Sequence, residues 1–203
     1  MKKQYHALKA SLPMLLFDAA PPLTSAVFLE RCEVFLEPRL VQFLRELSIA
    51  PRALPKYADP AVLEDRPKDR PSGPRSVVMA QYARWEIALR NMLAKLRGAK
   101  LGLDPEPDLV KLSVFESTAE TSARNAFGMS DPLERELSLD RARWAFFDDL
   151  EWRHLFDFEA LCIYRCKLLI LEKWTACRAG DPAKNLTAAA ARAEHGPDPT
   201  QKE

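Results

Sequence analysis

The chain has 203 residues, 47% hydrophobic and 29% charged, with 30 basic against 29 acidic side chains. That is enough apolar material for one domain or two small ones around a sizeable core, and it excludes a globally disordered chain. A net charge of +1 removes the electrostatic case for a dedicated nucleic-acid binder, and the six glycines argue against hairpin-rich β architecture and phosphate-cradling loops.

Residues 4–17 read as a short apolar element ending near Pro13. Its apolar stretch, Leu12 to Phe17, is interrupted by Pro13 and lacks a small-residue cleavage site. It is too short for a signal-peptide core or a membrane span. Pro21-Pro22 punctuates the chain, and Thr24 or Ser25 can cap a helix running to about Glu37, with Val27, Phe28, Cys32 and Phe35 on helical spacing. Pro38 stands at the first position of the next helix, where its missing N–H costs little; Leu40, Phe43, Leu44 and Leu47 form that helix's apolar stripe. Pro51 and Pro55 close it. Residues 51–75 hold six prolines and many charges with no apolar period, the pattern of a solvated connection.

A long helix is predicted from about Ser76 to Leu101. Tyr82, Trp85, Leu89, Met92 and Leu96 share one face, and Glu86 and Arg90 form an i,i+4 pair in the favourable order. Gly102 suits its end and Pro105 prevents continuation. Residues 108–127 are also expected to be helical. Asp131-Pro132-Leu133-Glu134 is a helix start, with Asp131 as cap, Pro132 in the first turn and Glu134 able to reach back. Trp144, Phe147 and Leu150 follow on that helix. The last helix, about Phe158 to Arg178, is apolar on three flanks, which places it at the centre of a bundle. Gly180 and Pro182 end it, and the alanine- and charge-rich remainder lacks core residues. The fold class expected is therefore all-α: an irregular bundle of about six helices. Its parts are an N-terminal helical segment (1–50), a Pro-rich charged linker (51–75), the main bundle (76–179) and a frayed tail (180–203).

Several groups of residues could carry chemistry. Glu151 and His154 have Glu-x-x-His spacing, which on one helix would set both side chains on one face as in di-iron bundles. The three histidines and the lack of a second copy favour a surface helix end instead. Asp148, Asp149, Glu151, Asp157 and Glu159 make an acidic stretch, read as the solvated side of a helix junction rather than paired catalytic carboxylates, and as a candidate docking surface for a basic partner. Arg84, Arg90, Lys95, Arg97 and Lys100 are scattered around the long helix and read as solvated. Asn91 adjoins the buried stripe, where its amide must find partners. Cys32, Cys162, Cys166 and Cys177 contain no CxxC pair. Cys162 and Cys166, at i,i+4 with no histidine on their helix, read as packed reduced thiols of a cytoplasmic protein. Ser11, Ser113 and the other hydroxyls lack a G-x-S-x-G context, and no P-loop is present. No catalytic, cofactor-binding or metal-ligating residue is assigned.

Three segments carry a family resemblance. They are Tyr5 to Leu15 with Phe17-Asp18 and Pro21-Pro22; Leu89 to Arg97; and Arg143-Trp144 to Phe156-Asp157, followed by Tyr164, Lys167-Leu168 and Ile170 to Trp174. The Tyr-x-x-Leu-x-x-Ser-Leu-Pro start and the Lys-Leu-x-Ile-Leu-x-x-Trp end form the specific pair. Together these segments resemble a family of short bacterial proteins encoded inside operons for V/A-type ATP synthases. The resemblance implies a non-catalytic subunit that stands in for the helical C (or d) subunit, coupling the central shaft to the membrane rotor ring. It implies shaft and ring subunits as partners, without nucleic acid or membrane insertion, and a cytoplasmic place peripheral to the inner membrane. Two other readings are carried beside it. One is an assembly or regulatory factor of the same complex; the other is a metal-dependent helical-bundle enzyme using Glu151 and His154.

Overall fold

The computed structural model describes residues 2–49, 76–106 and 109–180, with side-chain surroundings described from Tyr5 onward. The expected linker at 51–75 and the tail from 181 lie outside the described residues. Seven helices are present among those described: α1 (Lys2–Ser11), α2 (Ser25–Phe35), α3 (Pro38–Glu46), α4 (Val77–Leu101), α5 (Ser117–Phe127), α6 (Pro132–Glu151) and α7 (Phe158–Ala179). The protein is all-α, and none of these helices is long and apolar enough to cross a membrane.

Most helix boundaries follow from local chemistry. Thr24 caps α2 by accepting a hydrogen bond from the Val27 N–H at 3.3 Å. Ser76 caps α4 through the Met79 N–H at 3.1 Å, and Asp131 caps α6 through the Leu133 N–H at 2.9 Å. Pro38 and Pro132 occupy first-turn positions. At the end of α4, Gly102 takes φ 68°, a left-handed conformation that glycine adopts without a Cβ penalty. The chain then turns so closely over α4 that a Cβ on Gly98 would lie 2.8 Å from the Leu103 carbonyl oxygen and 3.0 Å from the Pro105 ring. Glycine at 98 is therefore a packing requirement inside the helix.

Two expectations need correction. The helix expected over 108–127 begins only at Ser117, because the segment before it is held extended against α4 by Asn91. The first element begins earlier than its apolar pattern suggested, and among its described side chains only Leu8 is fully buried.

The core is one cluster that draws on every helix. Phe28, Leu44, Met79, Tyr82, Leu89, Phe147, Leu161, Ile163, Leu168 and Ile170 are among its fully buried members. α4, α5 and α6 pack in sequence, and α7 lies against α4 and α6 on one side and α1, α2 and α3 on the other. The N-terminal segment and the main bundle thus close over the same helix. The apolar flanks of α7 are buried as its pattern predicted, continuously from Ala160 through Leu168. Tyr82 and Phe147 rings meet at 4.8 Å, and Phe146 sits 5.2 Å from Trp85, so aromatic packing joins α4 to α6.

Truncating Phe147 to Ala should cost about 3–5 kcal/mol, whereas Val34→Ala, on the outer face of α2, should stay within about 0.5 kcal/mol. Urea unfolding followed by circular dichroism measures both. Equal losses would place Phe147 outside the core.

Candidate functional site

The sequence directs attention to the junction of α6 and α7, where the Glu-x-x-His motif and the acidic stretch coincide. α6 ends at Glu151, and residues 152–157 form the turn into α7. The motif's premise fails at that boundary. His154 lies beyond the helix end, in a turn where its N–H donates to the Glu151 carbonyl at 3.1 Å, and the two side chains take separate partners. Glu151 turns inward, accepting from the Lys9 ammonium at 3.0 Å and from Lys167. His154 Nδ1 faces Asp157 Oδ2 at 2.8 Å. Among the described residues, no group of three or more His, Cys, Asp or Glu side chains is placed to share a metal ion.

The acidic stretch is solvated at Asp148 and Asp149 and half-buried at Glu151, Asp157 and Glu159, and four of these five acids also have partners within the fold. Asp148 and Glu151 both receive the buried Lys167 ammonium, Asp148 at 2.6 Å. Asp157 caps α7, its Oδ1 accepting from the Ala160 N–H at 2.9 Å. Glu159 reaches across to the start of α4, accepting from the Val77 and Val78 N–H groups at 3.0 Å each and from the Ser76 hydroxyl. A carboxylate there meets both the free N–H groups and the positive end of the helix dipole. Burial alone would raise the Glu151 carboxyl pKa, but Lys167 and Lys9 outweigh it and hold the value below the ordinary carboxylate range.

A second ionic cluster, unseen in the sequence reading, lies deeper. Glu86 was placed there as half of a solvated pair with Arg90; its side chain is 0% exposed. Arg143 grips it side-on, Nε to Oε2 and Nη2 to Oε1, both at 2.8 Å. Arg143 also donates to Asp140 at 2.6 Å. Asp140 in turn accepts from Lys173 at 2.7 Å and from the Trp174 indole at 2.9 Å. Glu136 and Arg90 complete the chain at its exposed ends, so three carboxylates alternate with three cations across α4, α6 and α7. Burial would lower the pKa values of Arg143 and Lys173, but their carboxylate partners raise both. Glu86 and Arg143 lie fifty-seven residues apart, so no local spacing could have signalled their meeting.

Asn91 finds the partners its position demands. Its amide donates to the Val110 carbonyl at 2.7 Å and accepts the Val110 N–H at 3.2 Å, standing in for a neighbouring strand. Beside it a groove of about 510 Å³ opens between α4 and residues 109–116. Of the basic residues on α4, Arg84 pairs with Glu116, Arg90 with Glu86, and Lys95 with Glu106 at 3.8 Å. Cys32, Cys162 and Cys166 are buried free thiols, and Cys177 is exposed. Burial pushes the Cys32 thiol up to about 12 and the Cys162 and Cys166 thiols well above their ordinary value, so none of the three is a ready nucleophile near neutrality.

At the α6–α7 turn three large apolar side chains face outward beside the exposed Arg153. Trp152 is 66% exposed, Leu155 56% and Phe156 41%, within five residues. Arg153 lies over the Trp152 ring at 4.8 Å, and His6 of α1 stacks on Phe156 at 3.5 Å. This corner stands on fixed supports, because Glu151 and Asp157 on either side are tied inward. The structure thus brings the Glu-x-x-His region to a surface patch.

No protein-family model matches the chain, and neither the curated proteins nor the solved structures give a match.

Replacing Glu86 by Ala leaves Arg143 buried without its main partner and should destabilise the fold by about 3–5 kcal/mol. The paired replacement Glu86→Leu with Arg143→Met should recover most of that loss, since apolar groups of similar volume need no counter-charge. Chemical denaturation of the three variants would expose an error if Glu86→Ala were neutral. The Glu151 shift sets a pH dependence. Its folded pKa lies below the unfolded value, so its contribution is complete above about pH 5 and is lost as pH falls through the folded value. The stability gap between the native protein and Glu151→Gln should be widest near neutrality and close on acidification. A gap independent of pH would contradict the pairing with Lys9 and Lys167.

Proposed function

We propose that the protein is a non-catalytic interaction subunit of a V/A-type ATP synthase or ATPase, a C (d)-like component linking the central shaft to the membrane rotor ring. Two lines support this reading. The three sequence segments that resemble the ATP synthase operon family include the α6–α7 turn and the core of α7. The buried acids and bases form hydrogen-bonded ion pairs or cap helices, an arrangement that suits a rigid spacer.

The observation that carries the proposal is the Trp152–Leu155–Phe156 corner. Clustered exposed large apolar side chains mark contact surfaces, and tryptophan is prominent among residues that dominate binding energy. Ion pairs and helix caps anchor both ends of the corner, so docking there would order little additional chain. A coupling subunit needs such a surface on a stiff body, since torque passed through a flexible element is dissipated.

The test is affinity purification of the tagged full chain from its native host, with quantitative mass spectrometry. Near-stoichiometric recovery of shaft and ring subunits is expected. Trp152→Ala should reduce that recovery at least about tenfold while leaving the circular dichroism spectrum unchanged. Substoichiometric recovery would make the protein an assembly or regulatory factor, and recovery without any ATPase subunit would overturn the association.

A further inference from the structure

The first helix is held much more lightly than α7. Among its described side chains only Leu8 is fully buried, whereas α7 buries twelve residues. An isolated ten-residue helix is marginal in water, so α1 depends on what it touches. It packs on α2, where the Arg31 guanidinium donates to the Ser11 carbonyl at 3.1 Å, and its remaining contacts are mostly polar or aromatic. Lys9 bonds to Glu151 at 3.0 Å and lies 5.3 Å from the centre of the Tyr164 ring. His6 stacks on Phe156.

The segment after α1 is anchored independently. Phe17 meets Trp144 edge-on at 5.4 Å, with Arg141 over its other face at 4.7 Å, and Asp18 bonds to Arg141 at 2.7 Å. Between these two sets of contacts Leu12 and Leu15 pack against the core, and the Pro13 carbonyl accepts from the Tyr164 hydroxyl at 3.0 Å. The anchored segment therefore begins at Leu12, and α1 can pivot only at the Ser11–Leu12 junction, where Pro13 prevents helical continuation. The charges favour the closed form from one side. Lys9 lies against the acidic end of α6, and α1 itself carries no acid.

The geometry points to α1 as a releasable strap, latched by the Lys9–Glu151 pair and pivoting at Ser11–Leu12, that covers one face of Phe156 and the Leu8 seat. Opening it enlarges the apolar corner formed with Trp152 and Leu155. That use of the strap rests on the interaction reading. The opening itself does not, and it is measurable on the isolated full-length chain.

Hydrogen exchange with mass spectrometry is the experiment, comparing the native chain with Lys9→Met and Glu151→Gln. Lys9→Met removes the strap's half of the latch and leaves the Lys167–Glu151 pair intact, so it remains informative if Glu151→Gln disturbs the fold. Amides in residues 5–11 should exchange about three- to tenfold faster in Lys9→Met, while those of 161–171 keep their protection. Raising salt to about 0.5 M should accelerate α1 exchange in the native chain and have little further effect in Lys9→Met. Unchanged α1 exchange in Lys9→Met, or loss of protection in α1 and α7 together, would overturn the strap. Neither result would bear on recovery of ATPase subunits, so the two proposals fail separately.

Discussion

α7 has to bury two cations. Arg165 and Lys167 lie in the middle of a helix that is covered on all sides, and an unpaired charge there would not be tolerated. The fold meets this constraint by bringing the ends of other helices to α7. Lys167 takes Asp148 and Glu151 from the last turn of α6, and Glu151 in turn holds Lys9 of α1. Arg165 donates to the Leu44 carbonyl near the end of α3 and to Ser25 at the start of α2. Burial lowers the Arg165 pKa, with Glu172 acting against that shift. The acids of α7 serve the opposite ends. Glu172 accepts the Ser25 N–H at 2.6 Å at the start of α2, and Glu159 does the same for α4. Free N–H groups and carbonyls at helix ends need partners in any case, so one set of side chains satisfies both demands.

The ion chain from Arg90 to Glu136 follows the same logic between helix faces. Glu86 and Asp140 are both inaccessible to water, and Arg143 is held between them. Apolar packing between helices tolerates small rotations and slides, whereas a side-on arginine–carboxylate pair at 2.8 Å does not. The network therefore specifies how α4, α6 and α7 register against one another. Its net contribution to stability is smaller than the cost of breaking it, because desolvation offsets much of the Coulomb attraction.

These two arrangements give the α6–α7 corner its character. The turn that carries Trp152, Leu155 and Phe156 is short and exposed, yet its flanking acids are fixed by α1, α7 and the α7 cap.

Helix positions were largely legible in the sequence, since Thr24, Pro38, Ser76, Gly102, Asp131 and Pro132 mark boundaries through local hydrogen bonding and backbone geometry alone. The central place of α7 was legible too, because a helix apolar on three flanks has no solvent face to offer. Beyond the Glu86–Arg90 pair, which forms at 2.9 Å, the sequence could not convey which charged side chains meet. Glu86 and Arg90 form a good surface pair by spacing, and the burial of Glu86 arises only when Arg143 arrives from a helix fifty-seven residues away. The Glu151–His154 spacing suggested a shared face, but the end of α6 separates them. The helical expectation over 108–116 failed because Asn91 supplied strand-like partners that no local pattern contains. Local sequence determined where helices start, stop and turn their apolar faces, because those depend on groups a few residues apart. Tertiary structure decided which charges are buried and paired, because electrostatic partners are set by distance in space.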